Sequence, residues 1–256
     1  MVKYLLKKSY QRKDLKEINF RDLWNSNGVF TTMWIYGATP RIFLFKSHID
    51  NLIKSLKAYK INSASTKVKI FKLLKLNINK KKKYNHLLRI ALDKNTISIS
   101  LRDKLKIKNN FFLKLVNYKR TKPKYKNLKY KTILKYLSKM DTSKSDVALC
   151  VNNKILETGT SNLLFISKNK IYSPINNFYR GTNLKFYEKK IKINKRNIFI
   201  KNLNNYDEII LIGSGKGVTS VKSIEKTNWK RKSLKMFKLI NNIFFLEVKK
   251  QNFIYR

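Results

Sequence analysis

Cysteine, histidine, proline and acidic residues are all scarce in this 256-residue chain, and each shortage excludes something. A single cysteine, Cys150, rules out an intrachain disulfide and points to a reducing, cytoplasmic setting. It lies inside the apolar run 147–151, where a buried strand thiol is expected rather than a nucleophile. The two histidines, His48 and His86, have no cysteine or carboxylate cluster beside them, which argues against a zinc site. No run approaches the roughly 20 apolar residues of a membrane helix. The basic N-terminal segment lacks the apolar core of a signal peptide. A soluble protein with no membrane partner is the expectation.

Acids are the deepest shortage: 14 carboxylates stand against 59 lysines and arginines, a formal charge of +45. Such a charge suggests a nucleic-acid partner, but a binding footprint clusters and this charge is spread through strands, helices and loops alike. The densest basic segments, 80–83 and 119–131, read as solvated loop or linker. Hydrophobic residues at 43% and aromatics at 12% suffice for real cores, so wholesale disorder is excluded.

The pattern along the chain alternates strands and helices without a strict βαβ rhythm. Residues 29–35 and 41–45 read as a strand pair around Gly37. Ile49, Leu52, Ile53 and Leu56 then fall at i, i+3, i+4 and i+7, one face of a helix with Ser47 as its expected N-cap. A second helix is expected at 68–76, a hairpin at 87–92 and 96–101, and a strand at 111–118. Pro123, one of only three prolines, lies in the least periodic stretch, so residues 119–127 are read as a linker. It separates an N-terminal subdomain (1–118) from a C-terminal one (128–256). In the latter, helices are expected at 130–140, 183–193 and 233–246. Strands are expected at 147–151, 154–156, 163–167, 170–172, 198–200 and 208–212. The fold class is α+β (mixed α/β), with two subdomains.

One acid stands out. Glu157 lies in residues 155–165, ILETGTSNLLF, followed at fixed spacing by Gly159, Asn162 and Phe165. A strand and the pair Ser173-Pro174 come next, then Gly181-Thr182-Asn183 opening a helix. Asp207-Glu208 leads into a strand that ends at Gly213-Ser214. In this order the pieces resemble the class IV pyridoxal-phosphate enzymes: branched-chain aminotransferases, D-amino acid aminotransferases and aminodeoxychorismate lyases. The resemblance covers about residues 27–225. The cluster 213–217, GSGKG, has neither the spacing of a P-loop nor a GxGxxG that opens a helix.

The resemblance implies pyridoxal 5'-phosphate (PLP) as cofactor, in a cleft between the two subdomains of the class IV aminotransferase-like fold. Glu157 would grip the pyridine nitrogen. Gly181, Thr182, Asn183, Gly213 and Ser214 would hold the phosphate, where helix-start amides suit an anion. A lysine some 30 residues before the acid would bond the cofactor. Lys129, 28 residues ahead of Glu157, is preferred on spacing; Lys131 is the alternative, because Lys131-Thr132 with Tyr136-Leu137 has the branched-chain letters. His48 matches a family histidine, while Asn51 stands where an arginine reaches the phosphate and supplies no charge, with Lys54 a turn away. Arg89 falls where relatives direct an arginine at the substrate carboxylate; an exposed strand arginine is the alternative. Expected substrates are an amino acid of branched-chain type and a 2-oxo acid, and the expected assembly is a homodimer. An aminodeoxychorismate lyase, which releases pyruvate and 4-aminobenzoate, is the nearest alternative. A basic nucleic-acid-binding protein and a catalytically silent relative lie outside the class.

Overall fold

A computed structural model describes residues 3–252. The chain divides into two compact units. The first runs to Lys104 and adds Tyr125–Lys131 and the segment from Lys250; the second comprises Leu105–Lys124 and Thr132–Lys249.

The first unit is a six-stranded sheet built from β1 (Tyr4–Gln11), β2 (Glu17–Ile18), β3 (Val29–Gly37), β4 (Arg41–Ile42), β5 (Tyr84–Leu92) and β6 (Thr96–Asp103). Its order is β2-β1-β6-β5-β3-β4, with every pair antiparallel. Two helices, α1 (Phe45–Ala58) and α2 (Thr66–Asn77), belong to the same core. Period-2 alternation in β6 explains its burial. Ile97, Ile99 and Leu101 join the helices' core, while Ser98 on the other face meets the Ser9 hydroxyl and donates to the Arg21 carbonyl.

Helix α1 buries Ile49, Leu52 and Leu56, the expected face, but its N-cap is Leu44 and not Ser47. The chain leaves β4 after two residues and turns sharply through Leu44, whose φ is 52°, so the helix starts earlier. His48 is buried within it, its Nδ1 2.8 Å from the Thr31 hydroxyl. Burial, helped by the charge of Lys126, lowers its pKa from the ordinary 6.5 to about 3. The unfolded chain therefore binds a proton that the folded one refuses between those values. Unfolding free energy is expected to fall as pH drops below 6.5 toward about 3. Comparing denaturant midpoints for the parent and His48→Gln checks this: the variant should lose that part of the slope. An identical slope in both would remove His48 as its source.

The second unit holds β7 (Phe111–Asn117), α3 (Lys131–Leu137, whose first residue belongs to the other unit), β8 (Ser145–Val151), β9 (Lys154–Thr158), β10 (Asn162–Ser167) and β11 (Lys170–Ser173). After these come α4 (Thr182–Glu188), β12 (Asn194–Lys195), β13 (Glu208–Gly213), β14 (Gly217–Ile224) and α5 (Lys235–Lys250, whose last residue belongs to the other unit). The eight strands form one mixed sheet in the order β12-β11-β10-β13-β14-β7-β8-β9. β7 is parallel to both neighbours and β12 to β11; the other pairs are antiparallel. β13 is buried throughout, as its unbroken apolar run requires.

With seven glycines in the whole chain, left-handed turn positions fall to other residues. Asn152-Asn153 (φ 49° and 58°) closes β8–β9, and Lys168-Asn169 (φ 48° and 61°) closes β10–β11. These two-residue hairpin turns need φ > 0 twice, which asparagine tolerates best after glycine.

Further elements depart from expectation. Helix α4 ends at Glu188, because the chain leaves it to add β12 to the sheet edge, where Asn194 Nδ2 donates to the Ile171 carbonyl. Residues 198–200 make only the Lys154–Phe199 bridge before the short 3-10 helix Ile200–Asn205. Helix α5 begins at Lys235, where the buried Glu208 carboxylate accepts the Met236 and Phe237 amides, both at 2.8 Å. Among the described residues, no helix is long and apolar enough to cross a membrane, and no cluster of His, Cys, Asp or Glu could hold a metal ion. Cys150 is buried, and burial pushes its thiol up to about 12, the state of an inert strand residue.

Candidate functional site

Glu157 sits one residue from the end of β9, opposite Leu149 of β8, and is 3% exposed. An acid so buried needs partners, and β7 delivers one. Past β7 the Tyr118 amide donates to the Cys150 carbonyl, which extends the strand pairing and carries the chain on to Arg120. The guanidinium meets the carboxylate with two donors: Nε to Oε1 at 2.9 Å and Nη2 to Oε2 at 3.2 Å. The Tyr179 amide adds a third bond to Oε1 at 3.2 Å. The result is a buried, two-pronged ion pair that fixes the carboxylate in one plane.

Beyond Glu157 the chain turns and enters β10 at Asn162, whose carboxamide works in both directions. Its Nδ2 donates to the Tyr179 carbonyl and its Oδ1 accepts the Gly181 amide, at 2.6 and 2.9 Å. The segment 179–181 is thus clamped beside Glu157, with the Tyr179 phenol pushed up to about 12 by burial. Gly181 is the N-cap of α4, and a Cβ there would lie 2.8 Å from the Asn162 oxygen. At Gly213 a Cβ would lie 2.5 Å from the Ser161 hydroxyl. Both glycines leave room at a place where neighbouring polar groups converge.

Asn183, in the first turn of α4, is buried, and neither its Oδ1 nor its Nδ2 has a hydrogen-bond partner. Leaving such groups unsatisfied costs about 1–3 kcal/mol each. An orphaned carboxamide beside Gly181 fits a ligand that is rich in oxygen, and a phosphate is such a ligand. The orphaned Asn183 carboxamide and the open backbone at Gly181 and Gly213 thus fit the phosphate of such a cofactor, beside a buried carboxylate at Glu157.

The remaining sequence candidates belong to the first unit, except that α3, which Lys131 opens, continues in the second. Lys129 lies in the added segment Tyr125–Lys131; its amide donates to the Asn127 carboxamide and its Nζ to the Asn25 carbonyl, at 3.1 and 2.7 Å. Lys131 is exposed at the start of α3. Asn51 is half-buried on α1, and its carbonyl accepts the Ser55 hydroxyl. Arg89 is not an exposed strand arginine. Its guanidinium lies 3.6 Å over the Trp24 ring, pairs with Asp22 Oδ1 at 3.1 Å, and keeps a buried Nε without a partner. Burial pushes its pKa down to about 10 against the pull of Asp22.

Sequence reasoning passed over Arg120, which it placed in a solvated linker. The available signal was that Arg120 is the lone arginine among the lysines of 119–131. A planar guanidinium, unlike an ammonium, suits two-pronged binding of a buried carboxylate. Asp146, Tyr179 and Lys216, all packed around the same turn or clamp, were missed as well.

Comparison with known proteins supplies the family. Residues 28–224 match the family described as amino-transferase class IV. No curated protein sequence matches the chain. Among solved structures, the branched-chain aminotransferase of Thermoproteus uzoniensis with norvaline is similar at a TM-score of 0.75 and 14% identity, covering 95% of each chain. The branched-chain amino acid aminotransferase of Escherichia coli gives 0.75 and 15%, covering 93% of each. A PLP-bound hypothetical aminotransferase of Mycobacterium tuberculosis gives 0.70 and 12%, covering 95% of this chain and 100% of that one. At such identities these likenesses show a shared fold. The family match spans most of the sequence, and so the chain belongs to the amino-transferase class IV family, a family of PLP-dependent enzymes.

Proposed function

We propose that the protein transfers the amino group of a branched-chain type of amino acid to a 2-oxo acid, with Lys129 as the lysine that bonds the cofactor. The observation that carries this reading is the continuous grip running from the Arg120–Glu157 pair through Asn162 to Gly181 and the orphaned Asn183. When bound, PLP supplies an electron sink that makes the substrate's Cα–H acidic. Glu157, oriented by Arg120, would be the partner of the ring nitrogen. Asn183, Gly181 and the Gly213-Ser214 turn would seat the phosphate. The lysine amine moves the Cα proton, and Arg89 orients the substrate carboxylate. A homodimer in the cytoplasm completes the proposal, the compartment being supported by the single buried cysteine.

The branched-chain preference rests on the Lys131-Thr132 and Tyr136-Leu137 letters together with the fold shared with branched-chain enzymes. The lyase reading draws on the Phe30-Thr31-Thr32 strand. Purified protein mixed with PLP should develop a visible absorbance band, and borohydride followed by peptide mapping should tag Lys129. Turnover of leucine with 2-oxoglutarate is then expected, without release of 4-aminobenzoate from aminodeoxychorismate. The opposite assay result selects the lyase, and absence of any band would overturn the cofactor reading.

A further inference from the structure

Asp146 is the second residue of β8 and is fully buried, followed by the apolar run 147–151. Its Oδ1 accepts the Val147 amide at 2.8 Å, and its Oδ2 accepts the hydroxyls of Thr158 and Thr160 at 2.9 and 2.6 Å. Lys216, buried in the turn between β13 and β14, brings its Nζ to 3.9 Å from the same Oδ2. That amine also donates to the Thr142 carbonyl at 3.0 Å and lies 5.1 Å over the Phe111 ring.

The turn 158–161 is wrapped around this pair. The Thr158 hydroxyl accepts the Ser161 amide at 2.9 Å, and the Thr158 amide donates back to the Ser161 carbonyl at 2.9 Å. The Gly159 amide donates to the Val147 carbonyl at 2.8 Å, and a Cβ on Gly159 would sit 2.9 Å from Asp146 Oδ1. Glu157 precedes this turn and Asn162 follows it. Ser161 packs on Gly213, the last residue of β13 and next to Ser214. One buried carboxylate and one buried ammonium therefore join the strand end that bears Glu157, the clamp on Gly181, and the turn that bears Ser214.

A buried ion pair adds little net stability over apolar residues of the same volume, because both charges must be desolvated. What it does supply is position: each hydrogen bond to Asp146 fixes one backbone segment. We propose that Asp146 and Lys216 are positioning residues that set the mutual geometry of the ring-binding acid and the phosphate-binding turns. They do so without touching the cofactor. The inference rests on the PLP reading above.

The test measures PLP affinity by absorbance titration and amide hydrogen exchange of the cofactor-free protein. Lys216→Met and Asp146→Asn should each weaken PLP binding about tenfold, as loss of outer groups that orient a binding residue does. Asp146→Asn/Lys216→Met should recover most of that loss, because the carboxamide still accepts the threonine hydroxyls and no charge is left unpaired. Without cofactor, Asp146→Ala, which removes both acceptors, should speed exchange at the Thr160 and Ser161 amides. Thr160→Val, at an exposed position, removes only the shortest contact and should weaken PLP binding several-fold if the larger changes impair folding. PLP affinity within about twofold of the parent in every variant overturns the proposal, as does unchanged exchange at 160 and 161. If the parent takes up no PLP, the cofactor reading fails, and the exchange result alone then decides the role of Asp146 in the turn.

Discussion

Replacing Arg120 with alanine is expected to lower the unfolding free energy by about 3–5 kcal/mol, the cost of leaving a buried charge without its partner. The side chains of Arg120 and Glu157 are 5% and 4% exposed, so the pair is held out of bulk water. A pair at the surface would be worth at most about 1 kcal/mol. Glu157→Gln keeps the shape and one acceptor, and its stability should fall less. Its turnover should drop by roughly 10²–10³-fold, the scale for removing a preorganised charge from a reacting group. Arg120→Met/Glu157→Leu should regain most of the stability and none of the turnover. Denaturant midpoints and steady-state rates separate these outcomes. An Arg120→Ala variant within about 1 kcal/mol of the parent would show that Glu157 does not depend on it.

Much of this grip was legible in the letters because it is local. Glu157, Asn162, Gly181 and Gly213 keep their spacing along the chain, and hairpins and helix starts turn spacing into position. Local periodicity likewise located most strands and the buried face of α1. The missing parts are those that arrive from a distance. Arg120 reaches Glu157 across 37 residues of sequence, and Lys216 reaches Asp146 across the sheet. No window of neighbouring residues contains either pair. In so basic a chain, one more cation in a loop carries no signal of its own. β1 was hidden for a related reason: Tyr4, Leu5 and Lys7 are exposed, the lysine pair 7–8 interrupts its apolar pattern, and only pairing with β6 reveals it as a strand. Boundary errors had physical causes too. Leu44 in a left-handed turn moved the start of α1, and Glu208 set the start of α5 from a strand far upstream.

The largest loss is expected at Lys129. Its segment is pinned on both sides: the Leu128 amide donates to the Gly28 carbonyl at 2.9 Å, and Leu128 and Tyr130 are buried. Gly28 permits this approach, since a Cβ there would lie 2.2 Å from the Leu92 carbonyl oxygen and 2.8 Å from a Leu128 methyl. The first of these contacts is with backbone and could not be relieved by a rotamer change. Lys129 is therefore an amine carried on a fixed main chain and held by a neutral carbonyl, whereas Lys131 is an exposed residue at a helix start. Lys129→Ala should abolish the borohydride-fixed label and lower turnover by at least roughly 10²–10⁴-fold, the scale for a lost proton-transfer group. Lys131→Ala should stay within a few-fold of the parent. The reverse pattern would move the role to Lys131. Full activity in both variants would remove this segment from the chemistry altogether.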